Sequence, residues 1–172
     1  ADEFRRTPKL MIALCVTQNI LRMEWLKKSL AQKLALPSSE YLLVGDETAE
    51  KKYKFTMTET LERQKKMVAR GETLLQGRSV FVCSGVAGNK APKSEELQRI
   101  IQAAGGVWLT AVSKLLKEEC HSAVIVTSDP PGEQLRTKTV AKAIEKGIPH
   151  VTTKWLFDCI MKQELNYDEL DV

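Results

Sequence analysis

Apolar and polar positions along this chain follow two rhythms. RSVFVCSGV at 78–86 is a short, β-rich apolar run and predicts a strand. SEELQRIIQAAGG at 94–106 sets Leu97, Ile100, Ile101 and Ala104 at helical spacing, with Ser94 placed to cap the helix and a Gly pair to end it. VWLTAV and AVIVTS supply two more strands, TKTVAKAIEKG at 137–147 a helix with Thr137 as its N-cap and Gly147 at its end, PHVTT a fourth strand and KWLFDCIMKQ a last helix. Alternating strands and helices imply an α/β fold, a small parallel sheet with helices on both faces.

Sliding the sequence along itself without a gap, until Arg6 falls on Arg136, lays RRTPKLMIALC on LRTKTVAKAIE and MEWLKKSL on TKWLFDCI. In that one register Thr7 meets Thr137, Trp25 meets Trp155 and Leu26 meets Leu156. Duplication explains this better than coincidence. The first copy enters at the second helix of the unit, and the counterpart of 78–130 is expected to lie elsewhere in a longer parent polypeptide. Residues 1–43 are therefore read as the C-terminal part of a first repeat, 44–77 as a charged linker with a helix around 56–68, and 78–172 as a second repeat. The linker should pack through Tyr53, Phe55, Met57 and Leu61, and Trp25 and Trp155 should be core residues of amphipathic helices.

Composition narrows the partners. With 43% hydrophobic and 28% charged residues the chain is of ordinary globular make-up, and its longest apolar run, LMIALCV, is far short of the roughly 18 residues of a membrane span. The N-terminus lacks the basic-then-apolar order of a secretory signal. A net charge of +4, scattered among acids, is weak support for direct DNA contact. Four cysteines without a CxxC pair, and only two histidines, argue against a zinc site or a disulfide framework and for a reducing compartment.

No phosphate-loop, dinucleotide, zincin or nucleophile-elbow motif is present, and neither His121 nor His150 has an evident catalytic partner in sequence, so no enzyme and no cofactor is expected. RRTPK is more telling. Thr7 and Pro8 suit an N-cap and first helical position, yet Arg5, Arg6 and Lys9 crowd a helix end that favours acids. Bases there cost up to about 1 kcal/mol unless an anion compensates them, and free N–H groups beside Arg and Lys make an anion receptor. The plainer reading is solvated side chains or pairing with acids such as Glu3.

The order RTxK, helix, short strand, WL, EYLL, then EKKYKF with a Thr-Leu helix, then strand, Ser-Gly, helix and Gly-Gly resembles a tandem BRCT module, with a linker like that of the DNA-damage mediator and PTIP-type subgroup. The resemblance implies a nuclear reader of phosphoserine peptides. It places Lys9 at the family's phosphate-binding lysine and Arg6 at the arginine that reads the main chain or a free C-terminal carboxylate three residues after the phosphoserine. Thr7 lies between them, and Pro92, Thr153 and Phe157 would complete the groove between repeats. A phosphate of roughly −1.5 to −2 suits an ammonium, and a carboxylate suits a planar guanidinium. The implied ligand is a phosphorylated Ser-Gln-acidic tail with a free C-terminus, such as that of the damage-marked histone variant, which would bring the module to chromatin. The family's Ser/Thr-Gly pair of the first repeat has no match here. Ser84-Gly85 of the second repeat resembles it, but Thr139 stands where the accompanying lysine would be, one residue from Lys138. Two other readings remain: a scaffold that binds unmodified protein, and a binder of DNA ends with steep salt dependence.

Overall fold

The computed structural model of the 172-residue chain describes residues 4–88 and 91–166. Two helices open it. Thr7 Oγ1 accepts from the Leu10 N–H at 3.3 Å and Pro8 takes the first helical position, starting α1 (Pro8–Val16) as a hydroxyl cap and an N1 proline should. α2 (Met23–Gln32) follows. The charged linker carries α3 (Glu47–Tyr53), which the sequence reading did not anticipate, and α4 (Met57–Ala69), where a helix was expected. Phe55, Met57 and Leu61 are buried and Tyr53 is half-buried, so the linker packs through the four expected side chains.

The second unit supplies every strand of the described sheet: β1 (Ser79–Val82), β2 (Val107–Leu109), β3 (Ala123–Thr127) and β4 (His150–Thr152), parallel throughout in the order β2-β1-β3-β4. Buried on both faces, β3 reads as the unbroken apolar run AVIVT. Between the strands lie α5 (Ser94–Ala103), the short α6 (Val112–Leu115), α7 (Lys138–Glu145) and finally α8 (Thr153–Lys162). α1 packs against α5 and α8, so the two halves share one core, with Met11, Leu14, Leu97, Ile100, Leu156 and Ile160 buried.

Two caps differ from expectation. Lys93, not Ser94, is the N-cap of α5: its backbone N–H donates to the Glu96 carboxylate at 3.0 Å, and Ser94 is the first helical residue. Thr137 holds the N-cap position of α7, but its side chain makes no capping bond. The Gly pair after α5 behaves as expected. Gly105 has φ +84°, and a Cβ there would overlap Thr73 Oγ1.

The register of the internal repeat is written into the backbone. The offset that lays Arg6 on Arg136 also carries the start of α1 at Pro8 onto the start of α7 at Lys138, and both ends of α2 onto those of α8. Both α2 and α8 end in a left-handed residue, Lys33 and Gln163. The Trp25 indole N–H donates to the Leu36 carbonyl and that of Trp155 to the Asn166 carbonyl, donor and acceptor alike keeping the offset. Burial breaks the symmetry. Trp155 is buried as expected, but Trp25 is only half-buried, and Leu26 and Leu30 beside it are exposed, contrary to the core role read from the sequence. α8 lies over β3 and β4, whereas no described strand underlies α2 in the same way.

Candidate functional site

Where α1, the linker and α8 meet, a groove of about 630 Å³ opens between the halves. The approach to α1 contributes Arg6, the end of α3 contributes Lys52, Tyr53 and Lys54, and the start of α8 contributes Thr153, Lys154, Phe157 and Asp158. The turn after β1, with Gly85, and the turn after β3, with Ser128 and Asp129, close the far wall. Gly85 has φ +80°, and Gln134 ties the two turns together by donating to the Ser84 carbonyl at 3.2 Å while its Oε1 accepts from the Ser128 N–H at 3.0 Å.

Arg6 is the organised group. Its guanidinium carbon lies 5.3 Å from the ring centroids of both Tyr53 and Phe157, a cation held between two aromatic faces. Nη1 stands 3.5 Å from Asp158 Oδ1, and the other carboxylate oxygen of Asp158 takes Lys154 Nζ at 2.9 Å. Four cationic side chains (Arg6, Lys52, Lys54, Lys154) against two carboxylates (Asp129, Asp158) leave the groove net positive by two. Such a site favours an extended acidic ligand, and the planar guanidinium can pair with a carboxylate or a main-chain carbonyl.

A wider cavity of about 920 Å³ lies on the other side of Arg6 and Tyr53, with Arg5, Arg22 and Asp46 in its walls. Asp46 caps α3 by accepting from the Ala49 N–H at 3.0 Å and also accepts from the Phe4 N–H at 3.1 Å. These backbone donors, Ala49 first, hold its carboxyl below the usual aspartate range.

Of the six residues named from sequence, the structure brings Arg6, Thr153 and Phe157 together in the groove. Thr7 is spent on capping α1. Lys9 is exposed as the second residue of that helix and lines neither this groove nor the wider cavity beside it. Pro92 supports the wall rather than forming it: its carbonyl accepts from the Gly88 N–H at 3.0 Å, and Ala91 faces the groove. Sequence reasoning missed Asp158, Lys154 and the Arg6-stacking role of Tyr53. Asp158 falls four residues after Lys154 in a helix already recognised, a spacing that could have marked the pair. His121 pairs with Glu119 at the surface, and no three His, Cys, Asp or Glu side chains converge on a metal-sized site among the described residues. No helix of the described residues is long and apolar enough to cross a membrane.

A parallel α/β sheet with a repeated helix pair and a basic groove between the halves defines an interaction module. The family model described as BRCT domain matches residues 73–169, and the chain belongs to the BRCT domain family. It is similar to the crystal structure of the S. pombe Brc1 BRCT5-BRCT6 domains, with a TM-score of 0.75 and 21% identity over 96% of this chain and 77% of that one. At this identity the likeness is one of fold, and it extends beyond the second unit to nearly the whole chain. No curated protein matches. BRCT domains are non-enzymatic modules of the DNA-damage response that bind phosphopeptides or other protein surfaces.

Proposed function

We propose that this chain reads phosphoserine peptides in a nuclear DNA-damage response. The tail would lie in the groove between the halves, with the carboxylate or main chain three residues beyond the phosphoserine on Arg6 and the phosphate toward Lys9. The observation that carries this reading is the Arg6 guanidinium, fixed between Tyr53 and Phe157 in a net-positive groove. A ligand carboxylate would compete with Asp158 for Arg6, and at 3.5 Å that internal pair is loose enough to be displaced. The Ser-Gln-acidic tail of a damage-marked histone is the ligand class proposed, with residues 1–43 as the C-terminal part of a first repeat, 78–172 as the second repeat and 44–77 as the linker between them.

Calorimetric titration with a phosphorylated Ser-Gln-Glu-Tyr tail, as free acid and as C-terminal amide, tests the Arg6 assignment. Amidation is expected to weaken binding about tenfold, the loss of one charge-assisted pair. Equal affinity for acid and amide would refute it. The exposed position of Lys9 outside the cavities favours one competing reading, a scaffold that binds unmodified protein in the same groove. That scaffold would be indifferent to Lys9→Met.

A further inference from the structure

Where the second half opens α8 with a hydroxyl cap, the first half opens α2 with an arginine. Thr152 is the N-cap of α8, and its Oγ1 accepts from the Trp155 N–H at 3.2 Å. The repeat offset lays Arg22 on Thr152, yet Arg22 holds the N-cap position of α2 without a side-chain bond, and the Trp25 N–H falls back on the Arg22 carbonyl at 3.1 Å. A cation at this end also opposes the helix macrodipole. Local rules broken in this way are expected at functional sites. The Arg22 side chain reaches the linker instead, where Nη2 donates to the Val44 carbonyl at 2.7 Å in the wall of the wider cavity beside Arg6 and Tyr53.

Four cations, Arg5, Arg6, Arg22 and Lys52, line that cavity against two carboxylates, Glu24 and Asp46, a net charge of plus two. Both carboxylates are already engaged. Asp46 gives one oxygen to the Ala49 N–H and the other to the Phe4 N–H. Glu24 takes Lys28 Nζ at 2.7 Å, and Lys28 is not in the lining. Among the described residues no carboxylate pairs with Arg22, whose bond to Val44 leaves further guanidinium donors, or with Lys52, which lies 5.2 Å from the Tyr53 ring centroid. The groove differs in this respect, since there Asp158 takes both Arg6 and Lys154.

We propose that the wider cavity is a second anion subsite, in which Arg22 and Lys52 receive a phosphoryl group carried on the same peptide, beyond the residue that Arg6 reads. Contiguity is the argument for one ligand. Arg6, Lys52 and Tyr53 line both the groove and the cavity, so a chain whose main-chain carbonyl meets Arg6 can run on past Tyr53. A second phosphoserine about two to four residues further lies about 7–14 Å along extended chain. Its charge of roughly −1.5 to −2 matches the cavity, and a guanidinium can take two of its oxygens at once. This inference rests on the groove as a peptide site, and it extends the ligands from a free C-terminal tail to internal, doubly phosphorylated segments.

NMR titration with N-acetyl phosphoserine amide as the probe tests the subsite separately from the groove. Saturable shifts of the Gly45 amide and the Arg22 Nε–H are expected, and Arg22→Gln should remove the shift at Gly45. No shift, or a Gly45 shift that survives Arg22→Gln, would overturn the subsite whether or not the groove binds peptide. Calorimetry then tests the shared ligand. A second phosphoserine on an internal phosphoserine peptide should tighten binding about tenfold or more. Arg22→Gln should erase that gain and leave the affinity for the singly phosphorylated peptide unchanged, while Arg22→Lys should keep part of the gain, with melting temperatures showing that both variants fold. Equal affinity for the two peptides, or the same gain in Arg22→Gln, would overturn the proposal. So would a short DNA duplex that depends on Arg22 more than the doubly phosphorylated peptide does, since nucleic acid would then be the occupant. Failure of both peptides to bind would strike the groove reading and the shared ligand with it, and the NMR response would still decide the subsite.

Discussion

Arg6 sits where charge and aromatic contact meet, and its surroundings separate its binding role from its stabilising one. Its ion pair with Asp158 is partly solvated, the side chains being 31% and 21% exposed, and pairs of this kind contribute at most about 1 kcal/mol to stability. Arg6→Gln is therefore expected to change the urea midpoint little and to weaken a phosphorylated acidic peptide about tenfold or more, which a paired unfolding and binding series would show. Asp46 behaves differently. Its depressed carboxyl contributes stability that is present above the ordinary aspartate range and is lost as pH falls through the lower folded value. Asp46→Ala should lower the melting temperature at neutral pH, and its deficit against the unsubstituted protein should vanish in strong acid, where both lack the charge. Cys15 and Cys83 are pushed up to about 11 by burial, with Gln163 only partly offsetting this at Cys15. At pH 8 only about one thiol in a thousand would be ionised, so mass spectrometry should find both nearly unlabelled by iodoacetamide in the folded state and fully labelled in denaturant.

Helices α2 and α8 share boundaries, a left-handed cap and an indole-to-carbonyl bond at one common offset, yet differ in what lies beneath them. Leu156→Ala should cost about 2–5 kcal/mol as a cavity in a closed core. Leu26→Ala, its counterpart on the exposed face, should stay within about 0.5 kcal/mol. Equal costs in denaturant titrations would show that α2 is covered after all. The turn after α5 is the other sensitive element. Gly105→Ala would place a side chain in left-handed backbone, costing about 1–2 kcal/mol before the overlap with Thr73 is relieved, so its unfolding midpoint should fall clearly.

The molecule as a whole was readable from sequence in the second half, where strands and helices alternate within one unit. AVIVT as an interior strand, the period of Leu97, Ile100 and Ile101, and the turn glycines all follow local rules that the packed second half does not override. Legibility failed at two kinds of place. Leu26 and Leu30 carry the pattern of a buried face, and pattern cannot say whether a partner surface is there to bury it. The groove gathers Arg6, Tyr53, Lys154 and Asp158 from three segments far apart in the chain, so its charge balance and the stacking of Arg6 exist only after folding. The position of Lys9 is a matter of the same scale: the sequence puts it three residues from Arg6, and in the fold it is exposed on α1 beside the groove's lining rather than in it.

Since the groove's shape and charge fit an acidic extended tail, the most direct measurement is fluorescence anisotropy of a labelled peptide ending in phosphoserine-Gln-acidic-aromatic with a free carboxylate, titrated beside its unphosphorylated twin. The account predicts saturable binding of the phosphorylated peptide alone, weakened by Arg6→Gln and by Lys9→Met. Equal affinity for the two peptides, or failure of both to bind, would contradict it.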